Sequence, residues 1–274
     1  MESLKDVLGT TFPKSQIPLM DTSTEYDFLA SERARAERMN QVLGSLTGWD
    51  CPDCLNRGYL SRIDDHGCLV TRPCRCMAIR NAQAAMRRSG LPDDILQRAT
   101  WESWTTEREW QKKVLETARK FVERSLQEPG AWFYIGGRPG AGKTKLCSII
   151  FRALNEGGIR GRYISWRDFS QRVKGDQLDN EKRDALMRPV LDAPVLYVDD
   201  LWKGGQSPAD IKLTFDILNA RYQRPDSITL ISAEYSLDAV IVGDEAIGSR
   251  IAERARGFTL DVTKAEDYRL RRVG

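Results

Sequence analysis

The chain has 274 residues, enough for one sizeable hydrophobic core and a small appended unit. A formal charge of +3 at pH 7 permits contact with nucleic acid but does not by itself indicate it. No stretch approaches the roughly 20 consecutive apolar residues of a membrane span, and residues 1–14 lack a secretory signal. We therefore expect a soluble, cytoplasmic protein without a membrane partner.

A helical region is predicted before the first cysteine. Thr22 and Glu25 have the spacing of a capping box, which marks a helix start. Apolar residues then recur at helical spacing, namely Met39, Val42, Leu43 and Leu46. This pattern predicts one or two helices at the front of the chain.

A metal site is predicted next, because five of the six cysteines lie between Cys51 and Cys76. A cytoplasmic chain keeps thiols reduced, so a metal explains this clustering better than disulfides. Cys51 and Cys54 form one knuckle, Cys74 and Cys76 form a second, and a hairpin with its turn at 64–67 joins them. Two thiolate pairs brought together in this way match a closed, structural Zn²⁺ site.

Two other residues could replace one of these ligands. Cys68 offers another thiol and His66 offers an imidazole, and the C-x-C spacing of the second knuckle is less usual than C-x-x-C. His66 is expected to lie on the turn and not to bind the metal. Cys147 lies far along the chain in a predicted helix and is expected to be a small buried hydrophobe.

A domain boundary is predicted after the metal cluster. Residues 78–88 are rich in alanine and arginine and read as a helix, which ends at the breaker Ser89-Gly90-Leu91-Pro92. We therefore assign residues 1–90 to a helical, zinc-binding domain and residues 91–274 to a second domain.

Strands alternate with helical patterns throughout the second domain. The candidate strands are residues 132–135, 163–166, 195–198, 228–232 and 258–262. This order predicts an α/β fold in which a five-stranded parallel sheet is covered by helices on both faces. Five such strands, with a phosphate loop after the first of them, fit the core of a P-loop ATPase.

The phosphate loop itself, G-x-x-x-x-G-K-T, follows the first of these strands and precedes an apolar helix. Its glycines let backbone N–H groups close on phosphate oxygens, and the helix start adds a positive dipole end. Lys143 is placed to reach the β- and γ-phosphates, and the Thr144 hydroxyl to ligate Mg²⁺. The predicted nucleotide-binding residues here are Gly137, Arg138, Pro139, Gly140, Ala141, Gly142, Lys143, Thr144 and Lys145.

Two carboxylates complete the predicted catalytic set at the end of the third strand. Asp199 and Asp200 follow an apolar run directly and so lie at the carboxyl edge of the sheet, where nucleotide binds. Asp199 is predicted to hold Mg²⁺, and Asp200 to orient or polarise the water that attacks the γ-phosphate.

A pair of arginines near the end of the chain is a candidate for catalysis between subunits. Arg250 and Arg254 are four residues apart and therefore share one helix face. An arginine aimed at a neighbouring subunit's γ-phosphate would stabilise the charge of the transition state.

In the order of its motifs the chain resembles the AAA+ helicase loaders of the DnaC/DnaI type. The resemblance covers most of the chain and combines the phosphate loop and Asp199-Asp200 with less specific motifs. These motifs are Cys51-Pro52-Asp53-Cys54, Pro73-Cys74-Arg75-Cys76, Ser89-Gly90-Leu91-Pro92, Trp101-Glu102-Ser103-Trp104, Leu218-Asn219-Ala220-Arg221-Tyr222 and Gly248-Ser249-Arg250.

The resemblance implies an ATP-dependent loader that binds a DnaB-type replicative helicase through its zinc domain. It also implies an AAA+ domain that binds ATP and single-stranded DNA and associates with itself. Arg250 or Arg254 would be the trans finger, and their spacing favours Arg254.

One departure from such loaders affects the expected activity. They usually carry a sensor asparagine near the end of the fourth strand, where this chain has Ser232-Ala233-Glu234. An ionised Glu234 cannot donate a hydrogen bond to phosphate, so it is expected to contact water or a basic group, and hydrolysis to be slow or dependent on a partner. The fifth strand lies close to the end of the sequence, so no C-terminal helical lid is expected.

Other functions remain open at this stage. A transposition helper ATPase of the IstB type would use the same ATPase core, although such helpers generally lack the cysteine-rich front. An adaptor could bind ATP without turnover. The candidate DNA contacts are Lys203 beside Trp202, together with Arg167, Arg172 and Lys174. Trp202 could pack or stack, whereas Trp101 and Trp104 are expected to pack in the core, with adenine contact as the alternative.

Overall fold

A computed structural model of the protein describes residues 28–47, 50–176 and 179–267, so the predicted capping box of Thr22 and Glu25 lies outside the described residues. Contacts between residues divide the chain into two compact units, Met1–Cys74 and Arg75–Gly274. Among the described residues, no helix combines the length and apolarity that crossing a membrane requires.

The first unit contains one helix and the predicted hairpin. Helix α1 (Phe28–Asn40) precedes strands β1 (Tyr59–Ile63) and β2 (Leu69–Pro73), which pair antiparallel. The Asp64 carboxylate accepts hydrogen bonds from the backbone N–H groups of His66 and Cys68, at 3.0 and 2.9 Å. These bonds close the turn in the place that the sequence predicted.

The helix predicted from Met39 to Leu46 is wrong, since α1 ends at Asn40. The Asn40 side chain donates to the Ser61 carbonyl and accepts from the Ser61 N–H, both at 2.9 Å, which ties the end of the helix to β1. The following segment runs against the first knuckle, where the Gly44 N–H donates to the Leu55 carbonyl at 2.7 Å. Tertiary hydrogen bonds thus replace helical ones, and Leu43 remains 80% exposed.

The second unit is built on the predicted parallel sheet. Its strands are β3 (Trp132–Gly137), β4 (Gly161–Ser165), β5 (Val195–Leu201), β6 (Ile228–Ala233) and β7 (Thr259–Val262). They lie in the order β4-β5-β6-β3-β7, and every neighbouring pair is parallel. The predicted five-stranded α/β fold is therefore confirmed. The structure describes residues as far as 267, and these contain no helix after β7.

Helices surround this sheet in the second unit. They are α2 (Cys76–Ser89), α3 (Asp93–Arg98), α4 (Glu109–Gln127), α5 (Lys143–Glu156), α6 (Trp166–Gly175), α7 (Asn180–Asp192), α8 (Pro208–Tyr222), α9 (Leu237–Gly243) and α10 (Glu245–Arg254). Helix α2 ends as predicted, with Gly90 in the left-handed conformation at φ 91°. It packs on α5 and β4, so its contacts group it with the sheet rather than with the residues before Cys74. The boundary at residue 90 stays a prediction.

Alternation along β3 builds two cores, one on each face of the sheet. Phe133 lies in a cluster with Phe121 of α4 and Ile150 of α5. Trp132 points to the other face and lies in a cluster with Ile217 of α8. Because each strand is covered on both faces, its residues are apolar almost without interruption, as in other parallel sheets.

Arg221 stabilises the packing of this unit from a fully buried position. Its guanidinium donates to the carbonyls of Ala193 and Ile228, at 2.8 and 2.7 Å, and to that of Val190 at 3.2 Å. Burial lowers the pKa of this guanidinium to about 9, so it remains cationic at neutral pH. The segment around Arg221, which contributed to the resemblance, thus links α7, α8 and β6.

Candidate nucleotide site and metal centre

The phosphate loop connects β3 to α5, as its motif requires. Gly137, Gly140 and Gly142 all have positive φ, at 132°, 76° and 88°. A Cβ on Gly137 would come within 2.4 Å of the backbone nitrogen of Thr263, so this position also needs glycine for space. The loop therefore delivers its backbone N–H groups to the start of α5, where the helix dipole favours an anion.

Lys143 lies inside this loop and is only 6% exposed. Its ammonium donates to the carbonyls of Gly137 and Arg138, at 2.7 and 2.9 Å. Burial lowers the pKa of Lys143, while the nearby carboxylates of Asp200 and Glu234 act in the opposite direction. The structure thus places Lys143 near two predicted site carboxylates, Asp200 at the end of β5 and Glu234 just after β6.

Asp199 is the most heavily hydrogen-bonded carboxylate of the site. Thr144, Tyr197 and Ser232 donate hydroxyl hydrogens to its Oδ1, at 3.0, 2.7 and 2.5 Å. Tyr163 donates to Oδ2 at 3.2 Å. Burial and the neighbouring carboxylate raise the pKa of both tyrosines, so each remains a protonated donor. The two groups predicted to hold Mg²⁺, Thr144 and Asp199, are therefore in contact.

Asp200 lies in a strained turn at the end of β5. Its φ is 55°, its N–H donates to Ser232 Oγ at 2.9 Å, and the register with β6 shifts between Val198 and Leu201. A non-glycine residue in this region of φ is uncommon and costs about 1–3 kcal/mol, and such strain clusters at functional sites. The Asp200 carboxylate accepts from the Lys203 ammonium at 2.6 Å.

A cavity of about 520 Å³ extends from the phosphate loop and is large enough for a nucleotide. Its lining residues are Asp94, Ile95, Arg98, Ala99, Pro139, Gly140, Gly142, Lys143, Thr144, Lys145, Asp200, Lys203 and Glu234. Glu234 Oε1 is 3.9 Å from the Lys203 ammonium, the kind of basic group that the sequence led us to expect. Predicted phosphate and catalytic residues thus share one cavity.

Several residues of this site escaped the sequence analysis. Helix α3 lines the cavity with Asp94, Ile95 and Arg98, although the breaker before it signalled only that the preceding helix ends there. Tyr163 and Ser232 contact Asp199 from neighbouring strands. For Ser232 the available signal was its position near the carboxyl end of β6, since the carboxyl ends of parallel strands share one edge, whereas Tyr163 lies in the middle of β4 and carried no such signal.

Trp104 packs beneath the phosphate loop, as expected. It is 8% exposed, its ring atoms come within 3.1 Å of where a Cβ on Gly142 would lie, and its Nε1 donates to the Gln111 carbonyl at 3.2 Å. Lys145 donates from its ammonium to the Ser103 carbonyl nearby. These contacts secure the segment before α4 to the loop.

Neither Arg250 nor Arg254 lines the nucleotide cavity. Arg254 donates to the Arg224 carbonyl at 2.6 Å, and its guanidinium lies 5.9 Å from the ring of Trp132. Trp132 begins β3 and the phosphate loop follows its end, so Arg254 lies at the opposite edge of the sheet. Arg250 donates to Asn219 Oδ1 at 3.2 Å. Both arginines stay candidates for action on another subunit only.

The candidate DNA contacts are separated by the fold. Trp202 is fully buried and donates from Nε1 to Thr214 Oγ1 at 2.9 Å, so the alternative of base stacking is wrong for this residue. Lys203 lines the nucleotide cavity instead. Lys174 pairs with Asp210 at 2.9 Å, whereas Arg167 and Arg172 of α6 are exposed.

The four predicted zinc ligands form a buried cluster. One ligand atom from each of Cys51, Cys54, Cys74 and Cys76 lies within 4.8 Å of every other, and the Sγ atoms of Cys51 and Cys74 are 3.7 Å apart. A disulfide requires about 2.05 Å. A tetrahedral Zn²⁺ with sulfur at about 2.3 Å would hold its ligands about 3.8 Å apart, so the cluster fits this metal.

Cys68 and His66 do not belong to this cluster. Both are exposed at the turn between β1 and β2. The two strands separate this turn from the cysteine knuckles, which lie at the other end of the hairpin. The four original cysteines therefore stay the predicted ligands, since they form a group that could hold a metal ion. Cys147 is fully buried in α5, and burial raises its pKa, in keeping with the predicted packing role.

Known proteins share this architecture. A family described as IstB-like ATP binding protein matches residues 60–273. The chain is 28% identical over 235 residues to the phage-like element PBSX protein XkdC of Bacillus subtilis (strain 168), covering 81% of this chain and 85% of that protein. It is 25% identical over 176 residues to the replicative helicase loader DnaC of Buchnera aphidicola subsp. Schizaphis graminum (strain Sg), covering 64% and 69%.

Solved structures agree with this assignment. The crystal structure of the DnaC helicase loader is 28% identical with a TM-score of 0.51, covering 61% of this chain and 96% of that chain. The crystal structure of DnaI, 21% identical with a TM-score of 0.50 and coverage of 63% and 93%, shares the fold. Since the family match spans most of the sequence, the chain belongs to the IstB-like ATP-binding proteins and carries a DnaC-type AAA+ ATP-binding domain.

Proposed function

We propose that this protein is an ATP-dependent loader that binds a DnaB-type hexameric helicase and delivers it to single-stranded DNA during replication initiation. The observation that carries this proposal is the likeness to the DnaC helicase loader, at 28% identity over 96% of that structure. The protein acts in the cytoplasm and associates with itself through its AAA+ domain.

Hydrolysis of ATP uses the groups that line or border the 520 Å³ cavity. Lys143 binds the β- and γ-phosphates, while Thr144 and Asp199 hold Mg²⁺, which neutralises charge on the phosphates when bound. Asp200 orients the attacking water, and Glu234 tunes the charge beside it. Arg254 of one subunit completes the site of another, so hydrolysis is slow until subunits, helicase or DNA bring that arginine into place.

The cysteine cluster supports the proposed contact with the helicase. Cys51, Cys54, Cys74 and Cys76 hold a structural Zn²⁺ that folds the region joined to the ATPase. Residues 1–90 form the part that binds the helicase. Exposed Arg167 and Arg172 of α6 provide the cationic surface for single-stranded DNA.

A transposition helper of the IstB type is the second candidate, because the matching family bears that name. The match begins at residue 60, after the first cysteine knuckle, so the front of this chain lies partly outside what the family shares. This front favours the loader. An ATP-binding adaptor without turnover is the third candidate, and single-turnover hydrolysis by the wild type and Asp200→Asn separates it from both, since an adaptor gives identical background traces.

Capture from an extract of the source cell tests the loader directly. The full chain is immobilised with Mg²⁺ and a nonhydrolysable ATP analogue, and we expect it to retain the replicative helicase. The double variant Cys51→Ser/Cys54→Ser should lose the helicase, whereas the matched control Cys68→Ser, whose thiol is exposed outside the cluster, should retain it. Retention of a transposase in place of the helicase would establish the second candidate.

A further inference from the structure

Lys203, first considered as a DNA contact, lies in the nucleotide cavity, and none of the residue roles in the proposed ATP hydrolysis uses it. Its ammonium is 2.6 Å from Asp200 Oδ2 and 3.9 Å from Glu234 Oε1. Lys143 and Thr144 line the same cavity. A second cation is therefore placed between two carboxylates beside the phosphate loop.

The backbone holds Lys203 in this place through a strained and anchored turn. Trp202 has a φ of 60°, which bulky residues adopt only where their surroundings impose it. Its buried indole donates to Thr214, and the Lys203 N–H donates to the Asp200 carbonyl at 3.0 Å. Lys203 thus extends from a fixed base, even though Gly204 and Gly205 follow it with open space around them.

The Asp200 and Glu234 carboxylates beside this turn repel a phosphate unless the Lys203 ammonium offsets their charge. Ionised Asp200 and Glu234 accept hydrogen bonds but cannot donate them, so both oppose a phosphate that approaches alone. Lys203 and Lys143 line the same cavity as these two carboxylates. The cavity beside the phosphate loop is therefore lined by two ammonium groups and by two carboxylates.

We propose that Lys203 is a second phosphate-binding lysine, which contacts the γ-phosphate of ATP and thereby frees the Asp200 carboxylate to orient water. Glu234 positions the ammonium and keeps it near the phosphate. ADP lacks the group that Lys203 reaches, so this lysine makes the site distinguish triphosphate from diphosphate. The inference rests on the proposed ATPase activity. It does not depend on whether the protein binds a helicase or DNA.

Calorimetric titration of the full, zinc-loaded chain tests this role. With Mg²⁺ present, Lys203→Ala should weaken binding of a nonhydrolysable ATP analogue by about tenfold, because a charge-assisted contact is lost. Binding of ADP should change by less than about twofold, and single-turnover hydrolysis should slow. Lys203→Arg should restore most of the binding of the analogue, since it keeps the charge.

Two further variants make the result specific. Lys120→Ala removes a lysine that pairs with Glu116 on the exposed face of α4, 2.7 Å away, and should leave both affinities unchanged. Glu234→Gln should weaken binding of the analogue less than Lys203→Ala does, because it loosens the lysine without removing it. Unchanged circular dichroism spectra would show that each variant is folded.

Three results would overturn the inference. An equal loss of affinity for both nucleotides, or no loss for either, would reduce Lys203 to an ion pair at the rim of the cavity. Faster hydrolysis in Lys203→Ala would show that the lysine restrains Asp200 instead of serving the phosphate. If the wild type itself bound neither nucleotide, the proposed ATPase function would fail instead, so the two failures are distinguishable.

Discussion

The two compact units differ in what stabilises them. In the described residues of the first unit, the buried apolar side chains are Ala36 and the cysteines Cys51, Cys54 and Cys74. The second unit has two extensive apolar clusters, one on each face of its sheet. A unit with so little apolar burial can hardly offset the entropy of its ordered chain, so we expect its fold to depend on a metal held by the cysteine cluster.

This contrast teaches that the proposed nucleotide site and the cysteine-rich hairpin are stabilised by different forces within one chain. The nucleotide site lies at the edge of a sheet that folds by burying apolar surface. We expect the hairpin between the cysteine knuckles to fold by binding a metal ion. Loss of metal should therefore leave nucleotide affinity intact, and loss of nucleotide binding should leave the metal in place.

Removing thiols should break this contrast most severely. Cys51→Ser/Cys54→Ser deletes one knuckle, and because a structural Zn²⁺ contributes about 10–16 kcal/mol, we expect loss of the metal and unfolding of the first unit. Metal analysis and limited proteolysis measure both effects, and calorimetry should show nucleotide affinity within about twofold of the wild type. Cys68→Ser is the control, and equal loss of metal and nucleotide would show that the units depend on each other.

A change in the phosphate loop should abolish ATP hydrolysis and leave both units folded. Lys143→Ala removes the ammonium that the loop carbonyls surround, so ATP hydrolysis should fall by at least about 100-fold. The melting temperature and the zinc content should stay at their wild-type values, with Lys120→Ala as control. Full activity in Lys143→Ala would contradict the assignment of the phosphate loop.

A smaller effect should reveal the contact between subunits. Arg254→Ala should lower hydrolysis at least about tenfold and lower binding less, because the arginine lies away from the nucleotide of its own chain. Mixing this variant with Lys143→Ala should restore activity in proportion to concentration, since each subunit supplies what the other lacks. Arg256→Ala, at an exposed position two residues later, is the control. Absence of any mixing effect would mean that Arg254 only packs against Arg224.

The smallest effect should come from loss of a hydrogen bond to Asp199, the carboxylate that we propose binds Mg²⁺. Tyr197→Phe removes one of the three hydroxyl donors to Asp199 Oδ1, so hydrolysis should fall about three- to tenfold. Tyr222→Phe is the matched control, because its hydroxyl donates to the distant Glu253 at 2.6 Å. Identical rates in the two variants would show that Thr144 and Ser232 suffice.

Local sequence predicted the parts of the fold that local physics determines. The phosphate loop is recognisable because its glycines are needed for positive φ and its lysine has fixed spacing. The hairpin after Cys54 and the end of α2 at Gly90 follow from turn residues in the same way. The failure of the helix predicted up to Leu46 has the opposite cause, since hydrogen bonds to the residues after Cys54 override helical spacing.

The remainder of the site depends on contacts between distant segments. Ser232 and Tyr163 reach Asp199 only because β6 and β4 flank β5, and strand order is not written in any single strand. The left-handed conformation of Trp202 could not be predicted either, because an indole avoids it unless tertiary packing compensates. Functional turns are where local rules fail, since their strain is held by the rest of the fold.

Calorimetric titration of a nonhydrolysable ATP analogue with Mg²⁺ into the full, zinc-loaded chain tests the central claim most directly, namely that residues 137–144 bind the triphosphate on which loading depends. We predict saturable binding to one site in each chain, which Lys143→Ala abolishes while the protein stays folded. Folded, zinc-loaded protein that takes up no adenine nucleotide would contradict this claim.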